Sequence, residues 1–174
     1  MLINLILITV FWSSSSFNFY LLTFYLKYIP GSIYVNACLA CVADIVGHMV
    51  SGYIAKVFGV KPAFLIAYIM GTIGGIMLVI FFNAEEVLIA VFVLFARCGV
   101  AFAFNMVYYA TPQMFPTEIC STAFGICNVF ARFLTILSPL IAELPDPVPM
   151  TIFTVVCIVS ALLPAFLRKV NKTA

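Results

Sequence analysis

Charge is what this chain has least of. Its 174 residues include eight Lys or Arg and six Asp or Glu, against 66% hydrophobic residues, and its mean hydropathy is +1.24. A water-soluble domain of this size needs far more polar surface to face solvent, so that class is excluded. Histidine occurs once, and no other Cys/His cluster accompanies the Cys38-x-x-Cys41 pair, which is read as small packing residues, so no metal or cofactor is expected. The remaining cysteines are 98, 120, 127 and 157. None of the six falls in an expected outer loop, which removes a disulfide framework. No Gly-x-Ser-x-Gly, His-Glu-x-x-His or Walker-A pattern is present, so an enzyme is not expected. No basic, aromatic-interleaved patch points to nucleic acid. A filter-like Gly-rich loop is missing as well, which disfavours a channel.

What remains is apolar sequence in span-sized pieces. A membrane-crossing helix takes about 20 apolar residues. Six such segments follow one another near 4–27, 34–56, 62–82, 87–110, 118–141 and 150–167. The first starts at Met1 with neither a basic n-region nor a small-residue cleavage site, so it reads as a span and not a signal peptide. The expected class is an all-α polytopic membrane protein, in a single transmembrane domain over 1–174. With the N-terminus inside, Lys56, Lys61, Arg168, Lys169 and Lys172 fall on the cytoplasmic side and only Lys27 outside, beside Glu85, Glu86, Glu143 and Asp146. This asymmetry predicts both termini inside. The plasma membrane is the expected location, and the Asn171-Lys172-Thr173 sequon is then a chance match.

Three ionisable residues, Asp44, Arg97 and Arg132, lie mid-span. Each costs roughly 2.5–3.5 kcal/mol at a helix centre on insertion scales, so such residues face protein or a watery cavity. They fall on polar or small stripes: Thr9, Ser13, Ser16, Tyr20 and Thr23 in the first span; Ala37, Ala40, Cys41, Asp44, Gly47, His48 and Ser51 in the second. The fourth span gives Arg97, Ala101, Asn105 and Tyr108, and the fifth Ser121, Gly125, Asn128, Arg132 and Thr135. Such stripes are expected to point inward, towards neighbouring helices or water. The third and sixth spans lack a stripe and are expected to be peripheral, although the third carries Gly71-x-x-x-Gly75, a close-packing pattern. The order polar, polar, plain, repeated, predicts 3+3 inverted repeats. Breaks are expected at Pro112 and Pro116 after the fourth span, at Pro139 within the fifth and at Pro164 late in the sixth.

Three stretches carry a family resemblance. They are Trp12-Ser-Ser-Ser-Ser-Phe-Asn-Phe-Tyr20, then Gly31-Ser-Ile-Tyr-Val-Asn36 leading to Asp44, and Arg97 through Ala101-Phe-Ala-Phe-Asn-Met-Val-Tyr108 to Phe115-Pro-Thr117. Together they resemble the C-terminal half of the major facilitator superfamily, in its organic cation, anion and carnitine branch. The likeness continues through Ala131-Arg132 and Ser138-Pro139. It implies a secondary active or facilitative carrier working by alternating access, with membrane lipid and a small organic solute as partners. The implied substrate-binding residues are Tyr20, Asp44, Arg97, Asn105, Tyr108 and Arg132. Gly52, Gly59, Lys61, Pro116 and Thr117 match the loop positions associated with gating. Where the family has acids this chain has Gln113 and Lys56, and Cys120 stands in place of an Arg. Family members have about twelve spans, so the N-terminal half is expected to be absent here. A fragment of a full carrier, a half-carrier that pairs with a second six-helix unit, and a non-transporting scaffold all stay open.

Arg97 and Arg132 admit two readings, as structural partners of Asp44 or helix-end carbonyls, or as groups lining the solute path. One acid cannot neutralise both, and the excess positive charge predicts an organic anion or zwitterion as solute, because Arg pairs bidentately with carboxylate. His48 lies one turn from Asp44, as a relay partner or as a lone His bonded to a neighbour. Phe102 and Phe104 read as ordinary apolar residues.

Overall fold

The structure is a computed structural model that describes residues 2–29, 32–81 and 86–167. Gly31, Glu85, Arg168, Lys169 and the Asn171–Thr173 sequon lie outside the described residues. In hydrocarbon every backbone N–H and C=O must find its partner within the segment, and an apolar chain resolves this by forming helices. The helices are α1 (Leu2–Tyr25), α2 (Ile33–Phe58), α3 (Val60–Ile80), α4 (Glu86–Met114), α5 (Thr117–Thr135), α6 (Leu137–Ala142) and α7 (Val148–Leu162). With short 3-10 turns at Leu26–Tyr28 and Leu163–Phe166, and with α5 and α6 in line, they make six membrane-length spans. No strand occurs among the described residues. The chain is an all-α, multi-pass membrane protein.

The packing is that of two related three-span units. The first span packs on the fifth and the fourth on the second; the third packs on the fourth and the sixth on the first; the first meets the fourth and the third meets the sixth. Exchanging each span for the one three places on turns this set of neighbours into itself, as an internal repeat requires.

Proline and glycine set the breaks. Pro139 has no N–H to give to the Thr135 carbonyl, and the fifth span divides just there, between α5 and α6. Ser138 Oγ then donates to the Phe17 carbonyl at 3.2 Å, fixing the break against α1. Pro112 does not end the fourth span as expected: α4 runs through it to Met114. Pro116 caps α5, and Pro164 sits in the turn that follows α7. Gly59 joins α2 directly to α3 at φ 86°, ψ 175°, a region open essentially to glycine alone.

The expected burial order needs correction. Within the chain, 44% of the third span and 39% of the sixth are buried, against 22% of the second and 17% of the fifth. The reason is glycine. A Cβ placed on Gly74 would lie 2.7 Å from Ala96, one on Gly99 2.6 Å from the Gly71 nitrogen, and one on Gly71 3.1 Å from Cys157 Sγ. Backbones that approach this closely bury α3 between α4 and α7. The α5 stripe of Ser121, Gly125, Asn128 and Arg132 accordingly faces out of the bundle, and α5 packs on α1 through Ala123, Cys127 and Ala131 instead. The second and fifth spans thus present their exposed faces, with Cys38, Cys41 and His48 on one and Ser121 and Arg132 on the other.

Candidate functional site

Arg97, on α4, is anchored to two other helices at once. Its Nε donates to Asp44 Oδ1 at 2.7 Å and its Nη2 to Asp44 Oδ2 at 2.9 Å, a bidentate pair joining α4 to α2. Nη1 donates to the Phe19 carbonyl at 3.1 Å and to Thr23 Oγ1 at 2.6 Å, both on α1. The guanidinium also lies over the Phe19 ring, 4.0 Å from its centroid. Phe104, two turns along α4 from Arg97, stacks on the same ring at 5.1 Å. The Arg97 side chain is 6% exposed and that of Asp44 20%. The charges of this pair cancel, and of the five guanidinium N–H groups four are engaged.

Arg132 is held differently. Its Nη1 donates to the Tyr20 hydroxyl at 3.1 Å, and its Cζ stands 5.9 Å from that ring's centroid. Among the described residues no carboxylate pairs with it. It lines an open depression of about 460 Å³ with Asn128, Val129, Phe133 and Ile136. The excess positive charge anticipated from one acid and two bases therefore resides on Arg132.

The two arginines grip adjacent residues of α1, Phe19 and Tyr20, and aromatic rings extend from there. Phe104 contacts Tyr108 at 5.4 Å, Tyr108 contacts Trp12 at 4.5 Å and Phe124 at 5.6 Å, and Trp12 meets Phe124 edge-on at 4.9 Å. Trp12 Nε1 donates to Thr111 Oγ1 at 3.1 Å, which satisfies the buried indole. Phe104 is thus a wall residue, while Phe102 is core. Tyr108 belongs to this wall and stays 38% exposed.

Asn105 is spent on the scaffold. Its Nδ2 donates to Ser51 Oγ and to the His48 carbonyl, tying α4 to α2. The His48 side chain is exposed and, among the described residues, forms neither the Asp44 relay nor a hydrogen bond to another neighbour. The structure therefore brings Asp44 together with Arg97, and Tyr20 with Arg132, and leaves Asn105 one step behind them. Phe19 and Thr23 escaped the sequence reading. Thr23 lay on the correct stripe, but nothing in its spacing showed that a guanidinium would reach it.

Near the α2–α3 junction at Gly59, Gly52 lies within α2 with open space around it, Lys56 in the last turn of α2 is exposed, and Lys61 in the first turn of α3 is partly exposed. Pro116, Thr117 and Glu118 open α5, all exposed. Among the described residues no ion pair forms from these charges. The end of the bundle beyond α1 is different. Lys27 Nζ pairs with Glu143 at 3.2 Å, and the Tyr25 hydroxyl donates to Asp146 Oδ1 at 2.8 Å. The Pro-rich loop before α7 is clasped there.

No family model matches the chain. Curated relatives do. Mouse solute carrier family 22 member 6 is 26% identical over 164 residues, covering 90% of this chain. Solute carrier family 22 member 15-like of Xenopus tropicalis is 27% identical over 140 residues, covering 78%. The synaptic vesicle 2-related protein of Xenopus laevis is 23% identical over 145 residues, covering 81%. The chain resembles the organic-ion branch of the major facilitator superfamily. It spans 30%, 29% and 26% of the length of these three relatives. Six spans arranged as two three-span units fit a major-facilitator half.

Proposed function

We propose that the chain is a six-helix unit of a carrier that moves a small organic anion or zwitterion across a membrane by alternating access. The observation that carries this reading is Arg132. It has no carboxylate partner among the described residues, while the other mid-span arginine is neutralised by Asp44. A solute carboxylate supplies the missing charge, and a planar guanidinium suits it bidentately. Tyr20 and Tyr108 flank the solute; Asp44, Arg97 and Asn105 form the fixed floor. Gly59 is the hinge between α2 and α3, with Gly52 in α2, Lys61 in the first turn of α3, and Pro116 and Thr117 at the start of α5 as the positions that shift. Mouse solute carrier family 22 member 6, by its name a carrier, supports transport as the general activity.

The exposed α2 and α5 faces, with Arg132 among their residues, support a second six-helix unit as partner, since a charge left against lipid is costly. That unit is another copy of the chain or a separate half. Lys56 and Lys61 at one end, against Glu143 and Asp146 with Lys27 at the other, support cytoplasmic termini. The proposed location is the plasma membrane. A scaffold without flux is the second reading, favoured by the lack of ion pairs around Lys56 and Glu118 among the described residues.

The test is saturable uptake of benzoate and of tetraethylammonium by the full chain in proteoliposomes. Saturable benzoate uptake that Arg132→Asp abolishes is the expected result. Benzoate uptake unmoved by Arg132→Asp overturns the anion reading, and no saturable flux of either probe leaves the scaffold.

A further inference from the structure

Asp44 and Arg132 carry opposite charges and are tied to neighbouring residues of α1, Asp44 through Arg97 to Phe19 and Arg132 to Tyr20. A solute in the space beside α1 therefore meets the sum of what each still presents. Asp44 keeps 20% of its side chain exposed, so unless Arg97 stays in place it offers a negative charge to that space. Arg97 in turn is steered from behind by α1. The Thr23 hydroxyl donates its proton to the Phe19 carbonyl at 2.8 Å and accepts from Arg97 Nη1 at 2.6 Å. The same carbonyl accepts from Nη1 at 3.1 Å. One hydroxyl thus closes a triangle that fixes the rotation of the guanidinium. Phe19 closes it from another side, its ring packed against the guanidinium at 4.0 Å and against Phe104 at 5.1 Å. With the Nη1 edge pinned on α1, the Nε and Nη2 edge is left to face Asp44 squarely.

We propose that Thr23, seconded by Phe19, is a specificity-determining positioning residue: it holds Arg97 in the bidentate geometry that cancels Asp44, so that Arg132 sets the charge the solute sees. The proposal rests on the carboxylate reading above and goes beyond it, because it assigns anion-over-cation preference to a neutral hydroxyl on α1. Neither Thr23 nor Phe19 needs to touch the solute. Loosening Arg97 unmasks Asp44, which repels an anion and attracts a cation in one step.

The experiment uses the full chain in lipid nanodiscs and two readouts. The first is the guanidinium 15N spectrum, simple because the sequence holds only Arg97, Arg132 and Arg168; Arg132→Lys and Arg168→Lys assign the Arg97 signals. In the unsubstituted chain Arg97 is expected to show separate, slowly exchanging Nη resonances. Thr23→Val, which keeps the shape and removes the hydroxyl, averages them, and Thr23→Ser restores them. The second readout is equilibrium binding of labelled benzoate and tetraethylammonium. Thr23→Val lowers the benzoate-to-tetraethylammonium preference about tenfold, the scale of one hydrogen bond to a charged group, and Thr23→Ser keeps it. Phe19→Leu moves both readouts in the same direction. An unchanged preference in Thr23→Val, with benzoate still bound, overturns the proposal and leaves the carboxylate reading standing, whatever the spectrum does. An unsubstituted chain that binds no benzoate overturns the carboxylate reading and this proposal with it.

Discussion

Arg97 and Asp44 meet through two parallel hydrogen bonds, 2.7 and 2.9 Å long, between helices otherwise joined by small residues and Asn105. The small residues matter: a Cβ on Gly47 would stand 2.7 Å from the Cys98 carbonyl, so α2 and α4 lie close enough for a short acid to reach the guanidinium. A buried pair of this kind contributes little net stability, since desolvation offsets most of the attraction, but removing one partner strands the other.

Asp44→Leu is therefore expected to destabilise the fold by about 3–5 kcal/mol, because it leaves a 6%-exposed guanidinium without its counter-charge. The double variant Asp44→Leu/Arg97→Met recovers most of that loss. A double-mutant cycle on unfolding by denaturing detergent measures the coupling. Additive effects of the two substitutions would show that the pair does not hold α2 to α4.

Arg132 behaves in the opposite way. It is exposed, and among the described residues its hydrogen bond goes to Tyr20 and no acid pairs with it. Arg132→Gln is expected to change stability by less than about 1 kcal/mol, as exposed polar contacts do, while benzoate binding is lost. Thermal unfolding and benzoate binding on one preparation test both halves. A large fall in melting temperature would move Arg132 from the solute path to the scaffold.

The glycines divide into those that set helix distance and those, Gly52 among them, that do not. Gly99→Ala brings a methyl to 2.6 Å from the Gly71 nitrogen and 3.0 Å from the Ala67 carbonyl, which are backbone atoms that cannot step aside. Separation of α3 from α4, at about 1–3 kcal/mol, is the expected result. Gly52→Ala meets nothing within 4 Å and replaces a helical glycine, so it is expected to be neutral or slightly stabilising. Parallel detergent-unfolding curves decide, and equal losses in both would contradict the close approach of α3 to α4.

The residues explain what the sequence disclosed and what it hid. Six spans were legible because hydrocarbon leaves an apolar chain no alternative to helix, and the repeat was legible because spans of like composition recur three apart. Burial was not. Composition marks α5 as a wet helix, yet only its partners decide which face packs, and Ala123, Cys127 and Ala131 outcompete the polar stripe by letting α1 come close. The charge count located an excess of one, whereas the pairing needed geometry: Asp44 lies on α2, and nothing in its spacing favours Arg97 over Arg132. Thr23 and Phe19 were hidden for the same reason, since a positioning residue is defined by what it touches.

The open α2 face offers a last test, through cysteine. Cys38 and Cys41 are exposed, whereas Cys127 and Cys157 are fully buried. Cys41 lies three residues before Asp44, hence on the same side of α2. If that side lines water, as a carrier requires, Cys41 reacts with a charged, membrane-impermeant maleimide in nanodiscs, because thiolate forms only where water reaches. If it faces lipid, only an apolar maleimide reacts. In a Cys38→Ser background, fast labelling by the charged reagent, lost on adding Cys41→Ser and slowed by benzoate, is the expected outcome. Labelling of Cys157 at a similar rate would mean that the α3–α7 contact opens, which the close approach of Gly71 to Cys157 Sγ argues against.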